Sequence, residues 1–438
     1  MKISKATILI CFILVFSFFA YSQKQGIDTI ATINSFNHEG EFYTMDYAGD
    51  YNELLNQLDD LMTGDKLSDF FTPFECSLFS ANGNENYQIF GRNFDNPDND
   101  VLITRFSPPG GIQSMAFTRM TDLGFTVGTN YNNLSFYQKL PLLLSAYFVP
   151  DGINEYGLAC GLASVDAEQT TIDPEKDTIF VTRLIREILD HAQTVNEALQ
   201  IANSYNVFDN GVNIISHHVL VGTPEGESIV LEYHDGAFQA VETEQDWQVV
   251  TNIPVWNVPH QQLMNGCWRY NSLYTTLDEN QGILTWNEGM NALEVVHLNC
   301  PWSAIYDMSN QGVYIAVHSN YEDIAFVNLD DFEFQVYVGI SEVSLLSNEA
   351  RISSFPNPFI NSTTIQYAVH ETSTINIVIY DSMGKLVKEL VNEQRPIGRY
   401  SATWTARDNF GSKVQPGLYF CRFSCEGYQS IVKLLMIE

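Results

Sequence analysis

Apolar and polar positions change period several times along this chain. Tyr51, Leu54, Leu55 and Leu58 recur at helical spacing. Residues 76–80 and 87–92 instead read as two strands of a hairpin, with Asn82-Gly83-Asn84 as the turn between them. Strands are also predicted over 101–106 and 115–120. An amphipathic helix is predicted over 179–191, and Thr194-Val195-Asn196-Glu197 is a capping box that opens a second one. Strands follow over 218–222, 228–233 and 247–251, separated by the turns Thr223-Pro224-Glu225-Gly226 and His234-Asp235-Gly236. A helix over 287–298 and strands over 303–307 and 313–318 complete this region. Runs of strands with helices segregated between them predict an α+β fold, two sheets covered by helices.

The pattern changes after Val338. Residues 341–354 read as a serine-containing linker. From 355 to 438 only short alternating runs remain, with turns at Ser382-Met383-Gly384-Lys385 and Gln415-Pro416-Gly417, which predicts a small all-β sandwich. At the other end, Lys2 and Lys5 precede an apolar run from Ile8 to Ala20, and Ala20-Tyr21-Ser22 is a small-x-small site. Residues 1–22 therefore read as a secretory signal, too short to span a bilayer comfortably. No later segment reads as a membrane helix, so the exported chain is expected without stable membrane insertion.

The 438 residues carry a net charge of −32. Removing the two signal lysines leaves −34. Such a chain lacks the basic face that nucleic acid requires, and it is repelled by anionic membrane surfaces. Six cysteines follow the signal, Cys76, Cys160, Cys267, Cys300, Cys421 and Cys425, too scattered for a disulfide framework. Neither they nor the histidines have metal-like spacing, so no metal and no cofactor is expected. Cys160 and Cys300 read as buried apolar filler.

Cys76 differs in its surroundings. The paired strand returns Gly91-Arg92-Asn93-Phe94-Asp95 toward it. A cation beside the thiol would shift it toward thiolate, and a carboxylate three residues on could hold a free amino group. That arrangement suits an enzyme whose nucleophile is its own N-terminal residue. Segment 23–75, with eleven acidic residues against two lysines, would then be a propeptide, one that either stays bound after the cut or shields the apolar pocket until then.

Four separated stretches over roughly 76–340 resemble the choloylglycine hydrolase family of linear amide hydrolases. They are Cys76 with Gly91-Arg92-Asn93-Phe94-Asp95, Asp151-Gly152-Ile153-Asn154-Glu155-Tyr156-Gly157-Leu158, Val249-Val250-Thr251-Asn252-Ile253-Pro254, and Cys267-Trp268-Arg269-Tyr270-Asn271. The resemblance implies an N-terminal-nucleophile (Ntn) hydrolase with an αββα sandwich, acting on a small-molecule N-acyl amide. It implies Cys76 as nucleophile, its own α-amine (reference pKa about 7.7–8.0) as proton shuttle, and Arg92 as thiolate stabiliser. Asp95 would orient the amine and Asn154 would donate to the oxyanion. Asn252 would position the amine or the tetrahedral intermediate, and Arg269 would complete the frame. Taken singly, each has a plainer reading: Cys76 as a small buried hydrophobe, Asn154 as a turn residue, Asn252 as a strand cap, Arg269 as a surface ion-pair residue. Signal cleavage leaves Gln23 in front, so a second, autocatalytic cut at Glu75–Cys76 is required.

Residues 355–438 resemble the type A sorting domain of type IX secretion, through Phe355-Pro356-Asn357-Pro358-Phe359, Thr364-Ile365-Gln366-Tyr367, Ile379-Tyr380-Asp381-Ser382-Met383-Gly384-Lys385, Gly417-Leu418-Tyr419-Phe420 and Val432-Lys433-Leu434. A carbohydrate-binding or immunoglobulin-like module is the alternative for such a sandwich. The resemblance implies the type IX machinery as partner and a secreted or cell-surface location. An acyltransferase using the same residues, or an uncleaved binding protein of the same fold, remains open against a hydrolase. Tyr131, Phe136, Tyr137 and Trp256 suit an acyl chain or ring, or an ordinary core.

Overall fold

The computed structural model describes residues 29–39, 41–62, 75–96, 100–209, 214–298, 300–338, 352–355, 359–369, 373–381, 385–395, 398–425 and 428–437. The expected signal at 1–22, residues 341–351 of the expected linker, Pro356-Asn357-Pro358 and Ser382-Met383-Gly384 lie outside them. The chain divides into two units, Met1–Ile340 and Ser341–Glu438.

In the first unit, α1 (Thr29–Ser35), β1 (Asn37–Glu39), β2 (Phe42–Tyr47) and α2 (Asn52–Met62) come before the cysteine. The hairpin β3 (Glu75–Ala81) and β4 (Ile89–Asp95) follows, then β5 (Val101–Phe106) and β6 (Ser114–Arg119). A short helix α3 (Phe136–Lys139) precedes β7 (Asp151–Asn154), β8 (Ala159–Gln169) and β9 (Thr178–Phe180). Helices α4 (Val181–His191) and α5 (Val195–Ser204) lead to β10 (Asn206–Phe208), β11 (Ile214–Gly222), β12 (Ser228–His234), β13 (Ala237–Val241) and β14 (Trp247–Val250). Helices α6 (His260–Gly266), α7 (Trp268–Glu279) and α8 (Trp286–Val296) come before β15 (Trp302–Asp307), β16 (Gly312–Val317), β17 (Asp323–Asn328) and β18 (Phe334–Val338).

Nine strands form one sheet in the order β1-β2-β5-β6-β7-β8-β11-β12-β13, and seven form the other, β14-β3-β4-β15-β16-β17-β18. Strand alternation assigns the layers. In β5, Leu102 belongs to the core that contains Leu184, Ile185 and Ile188 of α4, while Val101 and Ile103 belong to the core that contains Leu78 and Phe90 of the second sheet. Leu273 and Leu277 of α7 and Leu293 of α8 cover the second sheet's far side. The result is a four-layer αββα sandwich. Because both sheets are covered on both faces, their strands are apolar almost throughout. Gly161 lets the sheets approach closely, since a Cβ there would stand 2.8 Å from the Leu78 side chain.

The expected capping box is present: Thr194 Oγ1 accepts from the Glu197 N–H and caps α5. A second box, Thr285 with Glu288, starts α8 at Trp286. The helix expected over 179–191 begins at Val181, because residues 178–180 pair with β10 as strand β9. Helix α7 was not expected at all.

The second unit contains β19 (Ile352–Phe355), β20 (Thr363–Val369), β21 (Ser373–Asp381), β22 (Leu386–Arg395), β23 (Gly398–Trp404), β24 (Gly417–Cys425) and β25 (Tyr428–Met436). Two antiparallel sheets, β19-β20-β23 and β22-β21-β24-β25, close over one core that includes Ile365, Tyr367, Ile377, Trp404 and Phe423. No helix occurs among its described residues. Among the described residues of the whole chain, no helix is long and apolar enough to cross a membrane.

Candidate active site

Cys76 is the second residue of β3, and its register organises everything around it. β3 and β4 pair antiparallel with Glu75 opposite Asp95, Cys76 opposite Phe94, and Leu78 opposite Arg92. Opposed residues share a face, and successive residues alternate faces. Cys76 and Arg92 therefore point toward the other sheet, whereas Glu75, Ser77, Asn93 and Asp95 point toward α7 and α8. A spacing of three between Arg92 and Asp95 places the two on opposite sides of the sheet.

On the inner side, Arg92 is fully buried. Its Nε donates to Asp151 Oδ2 at 3.0 Å and its Nη1 to the Leu162 carbonyl at 2.6 Å. Its guanidinium carbon lies 4.9 Å from the Phe94 ring centre. Asp151 is equally buried and accepts from Trp302 Nε1 at 3.3 Å and from the Tyr306 hydroxyl. Burial raises the Asp151 carboxyl above its ordinary range, with Arg92 opposing. The remaining nitrogen, Arg92 Nη2, is buried without a hydrogen-bond partner.

The thiol does not behave as expected from the sequence. Burial pushes the Cys76 pKa up to about 11, against the lowering influence of Arg92 and Arg269. In the unbroken chain desolvation exceeds the attraction of the cation, so at neutral pH Cys76 is a protonated thiol.

On the outer side, α7 and the loop after β14 meet the backbone of Cys76. β14 pairs with β3 up to Val250 opposite Leu78. Two residues further, the register brings Asn252 level with Cys76, whose N–H donates to Asn252 Oδ1 at 2.7 Å. The Asn252 amide donates to the Ser164 carbonyl at 2.8 Å. Arg269, in the first turn of α7, donates to the Cys76 carbonyl at 2.5 Å, to Ser77 Oγ at 3.2 Å, to Asn252 Oδ1 at 3.0 Å and to the Glu75 carboxylate at 2.9 Å. Asp95 accepts through Oδ1 from the Leu298 N–H at 3.0 Å and from the Cys300 thiol at 2.6 Å. Its Oδ2 is buried without a hydrogen-bond partner and lies 3.8 Å from Arg269 Nη1.

Five of the six expected residues thus gather at Cys76. Asn154 does not. Its amide donates to the Leu189 and Ala192 carbonyls at the end of α4, at 3.2 and 2.8 Å. Its Oδ1 accepts from the Tyr156 and Leu158 N–H groups, both at 3.1 Å. Both ends are committed to the β7–β8 turn and to the orphan carbonyls of a helix end. The oxyanion-donor reading is corrected on that ground. Tyr131 is likewise a core residue, 1% exposed and edge-on to Tyr43, not the wall of an acyl pocket.

Other contributors went unread. Asp151 opens the same stretch from which Asn154 was chosen. Cys300 is more than filler, since it holds Asp95. His218 and Glu232 clamp the Asn252 loop from beneath. His218 bonds Glu232 Oε2 at 2.9 Å through Nδ1 and the Thr251 carbonyl at 2.8 Å through Nε2. Glu232 accepts from the Val255 and Trp256 N–H groups at 2.9 and 3.2 Å. Burial acts to raise the Glu232 carboxyl, but the hydrogen bonds and charge of His218, with help from His234 and Val255, outweigh it and hold the group at about 2. Charged residues inside the apolar runs of β11 and β12 were the available signal. A cavity of about 390 Å³ opens beside this loop, lined by Val165, Ile215, His217, His234 and Pro254 among others. Among the described residues, no group of histidine, cysteine and acidic side chains is arranged to hold a metal ion.

A four-layer αββα sandwich with a cysteine near the start of a central strand defines the class of Ntn-hydrolase folds. The family described as linear amide C–N hydrolases, choloylglycine hydrolase family, matches residues 76–295, and the chain belongs to that family. The secretion system C-terminal sorting domain matches residues 353–438, so the second unit is a type IX sorting domain, which indicates export to the cell surface or beyond. Similar solved structures include penicillin V acylase from Agrobacterium tumefaciens, at 15% identity and a TM-score of 0.43, covering 60% of this chain and 90% of that one. A mutant of conjugated bile acid hydrolase from Clostridium perfringens is also similar, at 15% identity and a TM-score of 0.41, covering 63% and 100%. No curated protein sequence matches the chain.

Proposed function

We propose that this protein is a secreted cysteine amidohydrolase that cleaves the linear C–N bond of N-acyl amides, with Cys76 as nucleophile after a self-catalysed cut at Glu75–Cys76. The observation that carries this reading is the acceptor at the Cys76 nitrogen together with a buried carboxylate oxygen on the strand position opposite Glu75. Asn252 Oδ1 already takes its N–H at 2.7 Å, and Asp95 Oδ2 is buried nearby without a hydrogen-bond partner. A peptide nitrogen needs one acceptor. A free α-ammonium has three protons to place.

In the processing step, Cys76 Sγ adds to the Glu75 carbonyl carbon. The C–N bond breaks, the Cys76 nitrogen takes the thiol proton, and a thioester remains. Water hydrolyses the thioester, which releases the Glu75 carboxylate and returns the thiol beside a new α-amine. In turnover the amine accepts the thiol proton as sulfur attacks the substrate carbonyl, then gives it to the departing amine. Arg92 faces the sulfur and stabilises the thiolate as it forms. Asp95 and Asn252 orient the α-amine, and Arg269 holds the Cys76 carbonyl and fixes Asn252. Water then releases the acid from the acyl-enzyme. A signal over 1–22 and the sorting domain would take the protein across the inner and outer membranes in turn.

The test is the N-terminus of the secreted protein, by intact mass and terminal sequencing, beside a Cys76→Ala variant. The expected wild type begins at Cys76 and cleaves N-acyl amides, while the variant stays joined at 75–76 and inactive. An intact Glu75–Cys76 bond in active wild type rejects the mechanism, and in inactive wild type it favours an uncleaved binding protein.

A further inference from the structure

We infer that residues 29–62 are not a discarded propeptide but a permanent second chain of the mature enzyme, held without a covalent bond after the cut at Glu75–Cys76. The inference rests on that cut.

The segment is built into the fold, not laid over it. β2 is an inner strand of the nine-stranded sheet, paired in parallel with β5 from Tyr43 opposite Leu102 to Tyr47 opposite Phe106. β1 pairs with its other edge. Parallel strands need a long connection between them, and here the connection runs from β2 through α2 and the β3–β4 hairpin to β5. The cut breaks that connection but neither β2 nor β5. Met45, Tyr47, Tyr51, Leu54, Leu55 and Leu58 are all buried in the core that also contains α4. Without them Phe106 and the side of α4 would face water.

The polar contacts point the same way. Asp59 accepts from the Tyr147 hydroxyl at 2.8 Å, from the Phe180 N–H at 3.3 Å and from Arg183 Nη1. The Tyr51 hydroxyl donates to Asp190 Oδ2 at 2.7 Å, and the Tyr47 hydroxyl to the Leu143 carbonyl at 3.1 Å. Every one of these partners lies after Cys76 in the chain, and removing the segment would leave each short of a partner in the interior. The end to be released is different. Glu75 makes its contact with Arg269 through a side chain that is 60% exposed. An anchored body and an exposed cut end let the new C-terminus leave Cys76 while the strand and helix remain.

The test uses the full-length wild-type protein after secretion. Denaturing mass spectrometry should give two species, one ending at Glu75 and one beginning at Cys76. Native gel filtration should elute both together at one to one. In a urea series, fragment and activity should be lost at the same concentration, and adding back a synthetic 29–62 peptide on dilution should restore activity. Tyr51→Phe, which removes only a hydroxyl, should lower the urea concentration at which the fragment leaves. A chain that begins at Cys76, elutes alone and remains active overturns the inference while leaving the proposed mechanism intact. A Tyr51→Phe fragment that leaves at the wild-type concentration counts against the anchoring contacts named here. An unbroken chain overturns both.

Discussion

The two faces of the β3–β4 hairpin place different environments on either side of one cysteine. The inner face is dry: Arg92, Asp151, Trp302 and Tyr306 are all fully buried and bonded to one another. The outer face is a fan of polar groups around a backbone, where Arg269 alone touches Glu75, Cys76, Ser77 and Asn252. The inner face acts on the sulfur, and the outer face acts on the nitrogen. Strand alternation supplies this division directly, because the side chain of residue 76 and the opposed pair at 75 and 95 must point opposite ways. An N-terminal nucleophile needs such a division, since its thiol and its amine require different neighbours.

The comparison breaks hardest at Arg92. Arg92→Met keeps the apolar stem and removes the charge, which leaves Asp151 buried and uncompensated. Losing one partner of a buried pair costs about 3–5 kcal/mol. We expect a large fall in melting temperature and no cleavage at 75–76. The double variant Arg92→Met, Asp151→Asn removes both charges. It should recover much of the stability in thermal unfolding while intact mass still finds the chain unbroken. Cleavage in the refolded double variant would show that Arg92 serves the fold and not the thiol.

On the outer face the same kind of change should separate activity from stability. Asp95→Asn keeps the shape and the contacts of Oδ1 while removing the charge meant for the α-ammonium. We expect a fall in melting temperature smaller than that of Arg92→Met, because Arg269 keeps the Cys76 carbonyl, Ser77 and Asn252 as acceptors. In the same variant kcat should fall by about a hundredfold or more, the scale of a lost proton-transfer arrangement. If kcat for an N-acyl amide is unchanged in processed Asp95→Asn enzyme, the amine is not held on this face, and the division drawn above fails.

Much of this was legible beforehand, and the failures have physical causes. The hairpin, the capping box at Thr194–Glu197 and the change to all-β after Val338 follow from local periodicity and turn chemistry. Arg92 and Asp95 were legible as neighbours of Cys76, but their opposite faces required the register. Asn154 was misjudged because an asparagine beside a turn can aim its amide at a ligand or at a helix end, and only the position of α4 decides which. The Cys76 pKa was misjudged because a sequence displays the cation and hides the burial. The integration of 29–62 was invisible for a similar reason. The apolar face of 51–58 was legible, but the sequence leaves open whether the segment stays bound after the cut, because a parallel strand pairing across about sixty residues of chain leaves no local trace.

The smallest effect concerns the support beneath the outer face. Glu232 holds the Asn252 loop through the Val255 and Trp256 N–H groups and is itself held at about 2 in the folded protein. In the unfolded chain its carboxyl titrates near about 4.3. A folded pKa below the unfolded one stabilises the protein above pH 4.3, and that contribution is lost as pH falls toward 2. The shift corresponds to at most about 3 kcal/mol, spread over that window. Wild-type stability in urea should therefore fall between pH 4.5 and 2.5 by more than that of Glu232→Gln, which has no carboxyl to titrate there. Because the variant also puts an amide donor against the Val255 N–H, it should lower kcat at pH 7 through a loosened Asn252. Parallel pH–stability curves for the two proteins would mean that the loop is held by packing alone, and the outer face would then owe its geometry to Arg269 without help from below.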